Sequence, residues 1–349
     1  MTSFKPDLFS SPGPYWQKVN LNEQKNLSSN IFSFKANKII KNIYKVKGLE
    51  INSSNLLIEL KNEKIIVKKN PFISSKKFNY QIYLYEFLRK KRSPVPKLSS
   101  YQFERDILYR LSKDRVIYLE FQKGRYFNGS YEDLFKTAKS INLLNNATNS
   151  IDFSRIEKLP LFPKKSPYIL KKFFSLLDKG LIKISSENKK ALIKNELFLF
   201  ETHKRIIDNL YLFKDIPEKA LHTDLHPHNI LINNSKSFIL DIESIRRTKW
   251  PIALGFAIFK LLRQTLTKNR RKKDFKLHAK KFIEIIHDKD YSRIDLKILL
   301  FGAEVEVFRR LLFIFEGNLE GKVSAWNKVL IIQLNALREI KELKKILSD

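Results

Sequence analysis

The first third of the chain alternates hydrophobic and polar residues in short runs that are typical of β-strands. Three such runs, KIIKNIYKVKG, NLLIEL and KIIVKK, lie between residues 38 and 69 and are separated by polar residues or by Gly48. Alternating or β-branched runs with turn-like breaks predict an antiparallel meander. Two more apolar runs, RDILYRLS and RVIYLEF, predict further strands before residue 122.

A change to helical spacing organises the rest of the chain. One helix is predicted over 77–91, where apolar residues recur every three or four positions until Pro94 and Pro96 stop the pattern. After Phe121 the helical rhythm dominates and includes one long predicted helix over 186–213. This rhythm is interrupted only by two apolar runs, ILIN and SFILDIE, that predict a small strand pair around residues 233–236. The pattern predicts an α+β fold with a flexible arm over 1–30, a β-rich lobe over 31–121 and a helical lobe over 122–349.

Composition narrows the function classes. A formal net charge of +31 would attract phosphate-rich partners such as nucleotides, nucleic acid or an anionic membrane surface, although AT-rich codons for Lys, Asn and Ile would give a similar composition. The basic run Lys268–Lys281 is typical either of a solvated face or of a patch that binds phosphate or a lipid surface. The absence of cysteine excludes disulfides and thiolate chemistry. Without an apolar leader or a membrane-length run, the expectation is a cytoplasmic protein.

The segment ALHTDLHPHNILINNSKSFILDIESI, residues 220–245, concentrates the candidate chemistry. A zinc site using His222, His226 and His228 is disfavoured, because Pro227 would break the helix that such a histidine pair needs. Phosphoryl transfer uses more of the segment. It requires an Asp for the acceptor hydroxyl, then an Asn and a second Asp for Mg²⁺, and residues of these types follow in that order. They are Asp224, Asn229 and Asp241.

This motif resembles the HGDLHPGNIL…iDFE signature of the aminoglycoside phosphotransferase and choline kinase superfamily, whose members have a protein-kinase-like fold. The resemblance implies a bilobal kinase-like fold with an antiparallel sheet and one helix in the N-lobe and a mostly helical C-lobe. It also implies that Asp224 is the catalytic base, that Asn229 and Asp241 ligate Mg²⁺, and that His222 stabilises the loop. Thr223 and His228 stand where the family often has Gly, so either side chain could alter which substrate fits. Glu243 could contact the substrate or brace the loop.

The β-rich lobe resembles the nucleotide-binding lobe of the same superfamily. Gly48 and Ser53 lie in the segment that resembles the phosphate loop. Lys68 in KIIVKK resembles the lysine that contacts the nucleotide phosphates, with Lys69 as its competitor because the strand register is open. Counting along the helix puts its usual Glu partner at Gln81, whereas Glu86 lies on a different face.

The last two predictions concern a hinge-like segment that would contact adenine and the molecule that would accept the phosphate. VIYLEFQKG resembles the family hinge, which implies that backbone from Glu120 to Gln122 meets the adenine and that Tyr118 lies nearby. The implied reaction is transfer of the γ-phosphoryl group of ATP, with Mg²⁺, to a hydroxyl of a small molecule: a sugar, an amino alcohol, or a glycan or lipid headgroup. The positive charge favours a neutral or anionic acceptor. A protein kinase is disfavoured because DIE replaces DFG and no APE follows. The alternative is a catalytically weak kinase-like protein that binds nucleic acid or an anionic surface through its basic face.

Overall fold

The structure, a computed structural model, describes residues 15–31, 40–47, 55–69, 73–99, 115–269, 272–286, 295–321 and 325–348. These residues form two compact units. The sheet unit contains the described residues of 15–127 together with 228–243, and the helical unit contains those of 128–227 and 244–348. The hairpin after the predicted catalytic loop therefore belongs to the sheet unit, whereas the predicted lobes were uninterrupted; those lobe boundaries stay a prediction.

The strands and helices of the described residues follow one another in an order that is β-rich first and helical later. In chain order they are β1 (Tyr15–Lys18), α1 (Leu21–Ile31), β2 (Ile40–Lys47), β3 (Leu56–Leu60), β4 (Lys64–Lys69), α2 (Ser75–Lys90), β5 (Val116–Glu120), β6 (Arg125–Tyr126), α3 (Tyr131–Thr148), α4 (Ser166–Asp178), α5 (Ser186–Lys194), α6 (Glu196–Asn209), β7 (Glu218–His222), β8 (Ile230–Ile232), β9 (Ser237–Ile239), β10 (Ile245–Lys249), α7 (Trp250–Lys268), α8 (Lys272–Ile286), α9 (Leu296–Leu319) and α10 (Leu330–Ser348).

The sheet unit is built on a five-stranded antiparallel sheet with strands β1 to β5 in chain order. Its buried face is apolar and includes Ile43, Ile58 and Val67. Strand β4 pairs with β5 in a register that sets Val67 opposite Tyr118. Because side chains alternate along a strand, Lys68 projects from the face opposite to Val67. The predicted α+β fold with an antiparallel sheet and a mostly helical remainder is confirmed.

The described part of the predicted arm, residues 15–31, has more regular structure than expected. Instead of little regular structure, Tyr15–Lys18 extends the sheet by pairing with β2, and α1 follows. The physical reason is that Val19 is buried in the sheet core and its N–H donates to Ile43 O at 3.0 Å. The predicted strand RDILYRLS lies outside the described residues.

Two short strand pairings position the functional motif. In the sheet unit, β8 and β9 form the predicted strand pair, and β6 lies on the other side of β8. The turn is closed by a hydrogen bond from Asn233 N to Lys236 O at 3.0 Å. In the helical unit, β7 pairs with β10, with His222 opposite Ile245. The predicted strand pair around residues 233–236 is confirmed.

The helical unit is organised around α7, whose residues from Pro251 to Leu266 are all buried. A helix that is buried on every side needs close neighbours, and α7 packs against α9 with small residues at the contact. The helix predicted over 186–213 is two helices, α5 and α6, because Asn195 breaks it. Its side-chain amide donates to Ala191 O, and its Oδ1 accepts from Arg338. None of the described helices is long and apolar enough to cross a membrane.

Glycines set the distance between α7 and α9. A Cβ at Gly255 would collide with the backbone carbonyl oxygen of Leu299, and a Cβ at Gly302 would collide with that of Pro251. Both obstacles are backbone atoms in packed helices, so neither can move away without separating the helices.

We expect Gly255→Ala to lower the free energy of unfolding by about 2 kcal/mol, because the two helices must separate to admit the methyl group. Gly317→Ala on α9 is the matched control, since a Cβ there meets nothing within 4 Å. It should stabilise the helix by about 0.5 kcal/mol. Urea denaturation measures both changes, and a Gly255→Ala variant as stable as Gly317→Ala would contradict this account of the helix contact.

Candidate active site

Lys68 is the centre of a buried ionic cluster in the sheet unit. Its Nζ lies 2.8 Å from Asp241 Oδ1 and 2.9 Å from Glu243 Oε1. The Lys68 side chain is only 13% exposed. Burial by itself would lower the pKa of the Lys68 ammonium, but the charges of Asp241 and Glu243 raise that pKa well above its ordinary value. Lys68 is therefore a cation held between two carboxylates.

Asp241 reaches this cluster through an unusual backbone conformation. It follows β9 and has a φ of 55°, in the left-handed region that non-glycine residues rarely adopt. The strand before it is fixed by hydrogen bonds from Ile239 N to Pro94 O and from Leu240 N to Asn229 O, both 2.8 Å. Backbone held in a disfavoured region costs about 1 kcal/mol or more and is concentrated at functional sites. The conformation marks Asp241 as a functional candidate.

Tyr85 on α2 is a member of the cluster that the sequence did not reveal. Its hydroxyl donates to Glu243 Oε1 at 3.1 Å, and the residue is fully buried. Burial, followed by the charge of Glu243, raises the pKa of the Tyr85 hydroxyl well above its ordinary value. The hydroxyl therefore stays protonated and acts as a hydrogen-bond donor. Burial also raises the pKa of the Glu243 carboxyl, against the opposing effect of Lys68.

The contacts of Lys68 differ from the prediction that its partner on α2 is Gln81. Gln81 lies on α2 and is buried, but its Oε1 has no hydrogen-bond partner among the described residues. The Lys68 ammonium is hydrogen-bonded instead to Asp241 and Glu243, because carboxylates bind an ammonium more strongly than an amide oxygen does. Glu86 forms no ion pair within the described part of the chain.

The structure describes only some of the other residues that were predicted to contact the nucleotide. The N–H groups of Glu120 and Phe121 donate to Lys97 O and Lys64 O, at 2.9 and 3.1 Å. Those two N–H groups are thus used within the sheet unit, and the backbone contact of Glu120 to Gln122 with adenine stays a prediction. Tyr118 is buried in β5. Gly48, Ser53 and the side chain of Lys69 lie outside the described residues.

Asp224, the predicted catalytic base, is held by a separate cluster in the helical unit. Arg310 on α9 approaches Asp224 Oδ1 with its Nη1 at 2.8 Å and donates from its Nη2 to Thr223 O at 3.0 Å. Its Nε donates to Glu306 Oε1 at 2.8 Å, and its guanidinium lies 4.2 Å from the ring centroid of Phe256. Burial by itself would lower the pKa of the Arg310 guanidinium. The charges of Asp224 and Glu306 outweigh this effect and raise that pKa above its ordinary value. Arg310 thus holds the Asp224 carboxylate in place and offsets its negative charge.

The loop around Asp224 is fixed by its neighbours. Thr223, which replaces a frequent Gly, donates from both its N–H and its hydroxyl to Ser244 O, at 3.1 and 2.8 Å. The buried His222 accepts the N–H of Asp224 on its Nδ1 at 3.2 Å. His222 therefore supports the backbone of the loop, and Thr223 ties that loop to the start of β10.

His228, the other departure from the family pattern, lies in the sheet unit. It is buried and packs edge-on against the ring of Tyr126, with centroids 5.8 Å apart. These features favour a packing role for His228. Its predicted contact with substrate stays a prediction.

Asn229 and Asp241 fit a Mg²⁺ ion by their chemistry. They offer amide and carboxylate oxygens, which are the donors that Mg²⁺ prefers, and Mg²⁺ commonly takes only one or two protein ligands beside phosphate and water. The hydrogen bond from Leu240 N to Asn229 O keeps Asn229 beside the residue that precedes Asp241. The described residues contain no group of three or more His, Asp or Glu side chains that could hold a metal by themselves.

Tyr85 and Arg310 carry only weak sequence signals. Tyr85 lies one helical turn after Gln81, so it shares the helix face on which a lysine partner was expected. Glu306 and Arg310 have the four-residue spacing of a helical ion pair. Neither spacing identifies the distant residue that the side chain also contacts, which is Glu243 for Tyr85 and Asp224 for Arg310.

Comparisons with solved structures identify the fold. A spectinomycin phosphotransferase in complex with ADP and spectinomycin has a TM-score of 0.60 at 13% identity, covering 93% of this chain and 95% of its own. An aminoglycoside phosphotransferase from Alicyclobacillus acidocaldarius has a TM-score of 0.57 at 14% identity, with 93% and 92% covered. The choline kinase LicA from Streptococcus pneumoniae has a TM-score of 0.52 at 14% identity, with 92% and 98% covered. This chain has the fold that these proteins share.

Comparisons by sequence add nothing to this. No protein-family model matches the chain. No curated protein matches it either. The similarity is therefore one of fold, at an identity of 13 to 15%.

We expect Arg310→Met to lower the free energy of unfolding by at least about 2 kcal/mol, because it leaves the buried carboxylate of Glu306 with less compensation and removes an ion-pair partner of Asp224. Arg309→Met is the matched control, since Arg309 also binds Glu306 but makes no contact with Asp224 in the described structure. It should lower the free energy by less than Arg310→Met does, because Arg310 still binds Glu306 and keeps its contact with Asp224. Urea denaturation measures both, and equal losses would contradict the central role of Arg310.

Proposed function

We propose that this chain is an ATP-dependent phosphotransferase that transfers the γ-phosphoryl group to a hydroxyl of a small molecule. The observation that carries the proposal is the contact of 2.8 Å between Lys68 and Asp241, which are 173 positions apart. The two residues belong to separate motifs, and each was selected for its own role at the nucleotide phosphates. A chance surface pair would have no reason to join these two positions.

The proposed roles follow the chemistry of each side chain. Lys68 binds the nucleotide phosphates, and Asn229 and Asp241 would hold Mg²⁺, which would neutralise phosphate charge when bound. Asp224 accepts a hydrogen bond from the acceptor hydroxyl and aligns its oxygen with the γ-phosphorus. A bond forms between that oxygen and the phosphorus while the bond to the β–γ bridging oxygen breaks, so ADP leaves. Asp224 takes the proton of the hydroxyl.

His222 and Thr223 support this mechanism by position. The hydrogen bond from Asp224 N to His222 Nδ1 and the two from Thr223 to Ser244 O restrain the backbone on the N-terminal side of Asp224. Restraint of the base keeps its carboxylate oriented without an entropic penalty at the moment of reaction. Gln122 is the proposed backbone contact for adenine, and Gly48 and Ser53 stay proposals for the phosphate loop.

The acceptor class is the finer part of the proposal. The titles of similar structures name a spectinomycin phosphotransferase, choline kinases, an ethanolamine kinase and an amicoumacin kinase. In this chain Arg310 lies at hydrogen-bond distance from Asp224, so a cationic group next to the reacting hydroxyl would meet a guanidinium. This arrangement and the net charge of +31 favour a neutral or anionic acceptor, such as a sugar or a glycan or lipid headgroup, over an amino alcohol.

The alternative is a catalytically weak kinase-like protein that binds nucleic acid or an anionic surface through its basic face. The net charge supports it. It gives no reason for Asp224, Asn229 and Asp241 to occur together, so we prefer the enzyme. A cytoplasmic location stays a prediction.

We expect Asp224→Asn to lower the rate of phosphoryl transfer at least about 100-fold, because an amide cannot accept the hydroxyl proton. Thermal stabilisation by Mg²⁺ and a non-hydrolysable ATP analogue should remain. Asp215→Asn is the control, since this exposed aspartate lies outside the motif. Labelled ATP and a panel of hydroxyl acceptors provide the assay. Full activity in Asp224→Asn would contradict the proposal, and a wild-type protein that neither transfers phosphate nor gains stability from nucleotide would favour the alternative.

We expect acceptors to rank by charge. Glucose, glucuronic acid and glucosamine share a hydroxyl framework and differ at one group, and choline and 3,3-dimethylbutan-1-ol differ by one charge. The neutral or anionic member of each set should have the higher kcat/KM, because Arg310 disfavours a cation near Asp224. A preference for glucosamine and choline would show that Arg310 does not select the acceptor.

A further inference from the structure

A nucleotide-binding lysine needs a carboxylate that holds it in place. In protein kinases this carboxylate is a Glu on the helix of the N-lobe. In this chain α2 has Gln81 at the corresponding position, and its Oε1 has no hydrogen-bond partner among the described residues. Glu86 is on another face of α2 and forms no ion pair with any described residue. The helix therefore does not supply the carboxylate.

Two carboxylates contact Lys68, and they differ in exposure. The side chain of Asp241 is 40% exposed and that of Glu243 is 10% exposed. Asp241 is also the proposed ligand of Mg²⁺, so its oxygens have a second use when nucleotide binds. Glu243 is the more enclosed of the two and is the carboxylate that can stay with Lys68 throughout.

Glu243 is itself fixed from α2. The Tyr85 hydroxyl donates to Glu243 Oε1 at 3.1 Å, and the same oxygen accepts from Lys68 Nζ at 2.9 Å. Tyr85 is 1% exposed, so its hydroxyl has little access to water as an alternative partner. A hydrogen bond to a charged acceptor is stronger than one between neutral groups. The helix thus restrains the lysine through two links, Tyr85 and then Glu243.

We propose that Glu243, held by the hydroxyl of Tyr85, replaces the missing helix carboxylate and positions Lys68 for the nucleotide phosphates. This inference rests on the proposed function and assigns Glu243 and Tyr85 as positioning residues. The carboxylate that binds Lys68 is that of Glu243 in the DIE segment, two residues after Asp241. Helix α2 contributes the hydroxyl of Tyr85, which binds Glu243, instead of a carboxylate. Glu243 then contacts neither the acceptor nor the metal.

The experiment separates contact with phosphate from contact with adenosine. Affinities for ATP and for adenosine are measured by calorimetry in Glu243→Gln and Tyr85→Phe, with and without Mg²⁺. We expect Glu243→Gln to weaken ATP binding about tenfold and Tyr85→Phe about threefold, as the loss of a hydrogen bond to a charged group allows. Adenosine affinity should not change, because Lys68 contacts only phosphate. The loss should persist in EDTA, because the carboxylate acts on Lys68.

Controls make each outcome decisive. Tyr83→Phe removes a hydroxyl from the same helix, and Glu86→Gln removes a charge from it; both should bind ATP like the wild type. Lys68→Ala tests the proposed function, since it should lose ATP affinity whether or not Glu243 matters. If Lys68→Ala loses affinity but Glu243→Gln and Tyr85→Phe match the wild type, this inference alone is overturned. If the wild type does not bind ATP, the proposed function fails.

Two further outcomes are informative. A loss in Glu243→Gln that disappears in EDTA would assign Glu243 to the metal and overturn the inference. Equal losses for ATP and adenosine would indicate general damage to the fold and would also overturn it. Should Glu243→Gln fail to fold, Tyr85→Phe decides the matter, because it removes a single oxygen atom and leaves the ion pair intact.

Discussion

The buried Lys68 ammonium and its two carboxylates are the constraint on which the sheet unit depends. A lysine that is mostly removed from water is stable as a cation only beside compensating charge. Asp241 and Glu243 supply that charge, and both follow the β8–β9 hairpin. The ion pairs therefore connect the five-stranded sheet to the segment after that hairpin, where Asp241 lies 173 residues beyond Lys68 in the chain. Tyr85 connects α2 to the same cluster.

The parts of the fold that local pattern determines were predictable from the sequence. Alternating runs gave β2, β3, β4 and β5, and the strand pair around residues 233–236 formed where turn residues separate two apolar runs. Strand β1 was missed, because Pro6, Pro12, Gly13 and Pro14 before it predict an irregular segment. Its pairing with β2 is a long-range contact that local sequence does not predict. The break between α5 and α6 was missed because Asn195 acts through its side-chain hydrogen bonds, which periodicity does not report.

The residues of the candidate site likewise divide into those that the sequence predicted and those that it did not. Order and spacing within one motif selected Asp224, Asn229 and Asp241, and the resemblance of KIIVKK to the family's strand selected Lys68. The contacts of Lys68 with Asp241 and Glu243 are what relate the lysine to that motif. Counting along α2 led to Gln81, because a motif position identifies where a partner usually lies and does not report a different residue that has taken its role. Tyr85 and Arg310 could not be found, since their partners are 158 and 86 residues away in the chain.

The charges of the two clusters also limit what the overall charge can explain. Lys68 is matched with two carboxylates, and Arg309 and Arg310 are matched with Asp224 and Glu306. Neither cluster has an excess of positive charge, so the net charge of +31 belongs to residues outside them. That surplus can attract an anionic substrate over long range, which depends on ionic strength. Under the proposed function, selection at the reacting hydroxyl would be local and would depend on the Arg310 guanidinium that lies beside Asp224.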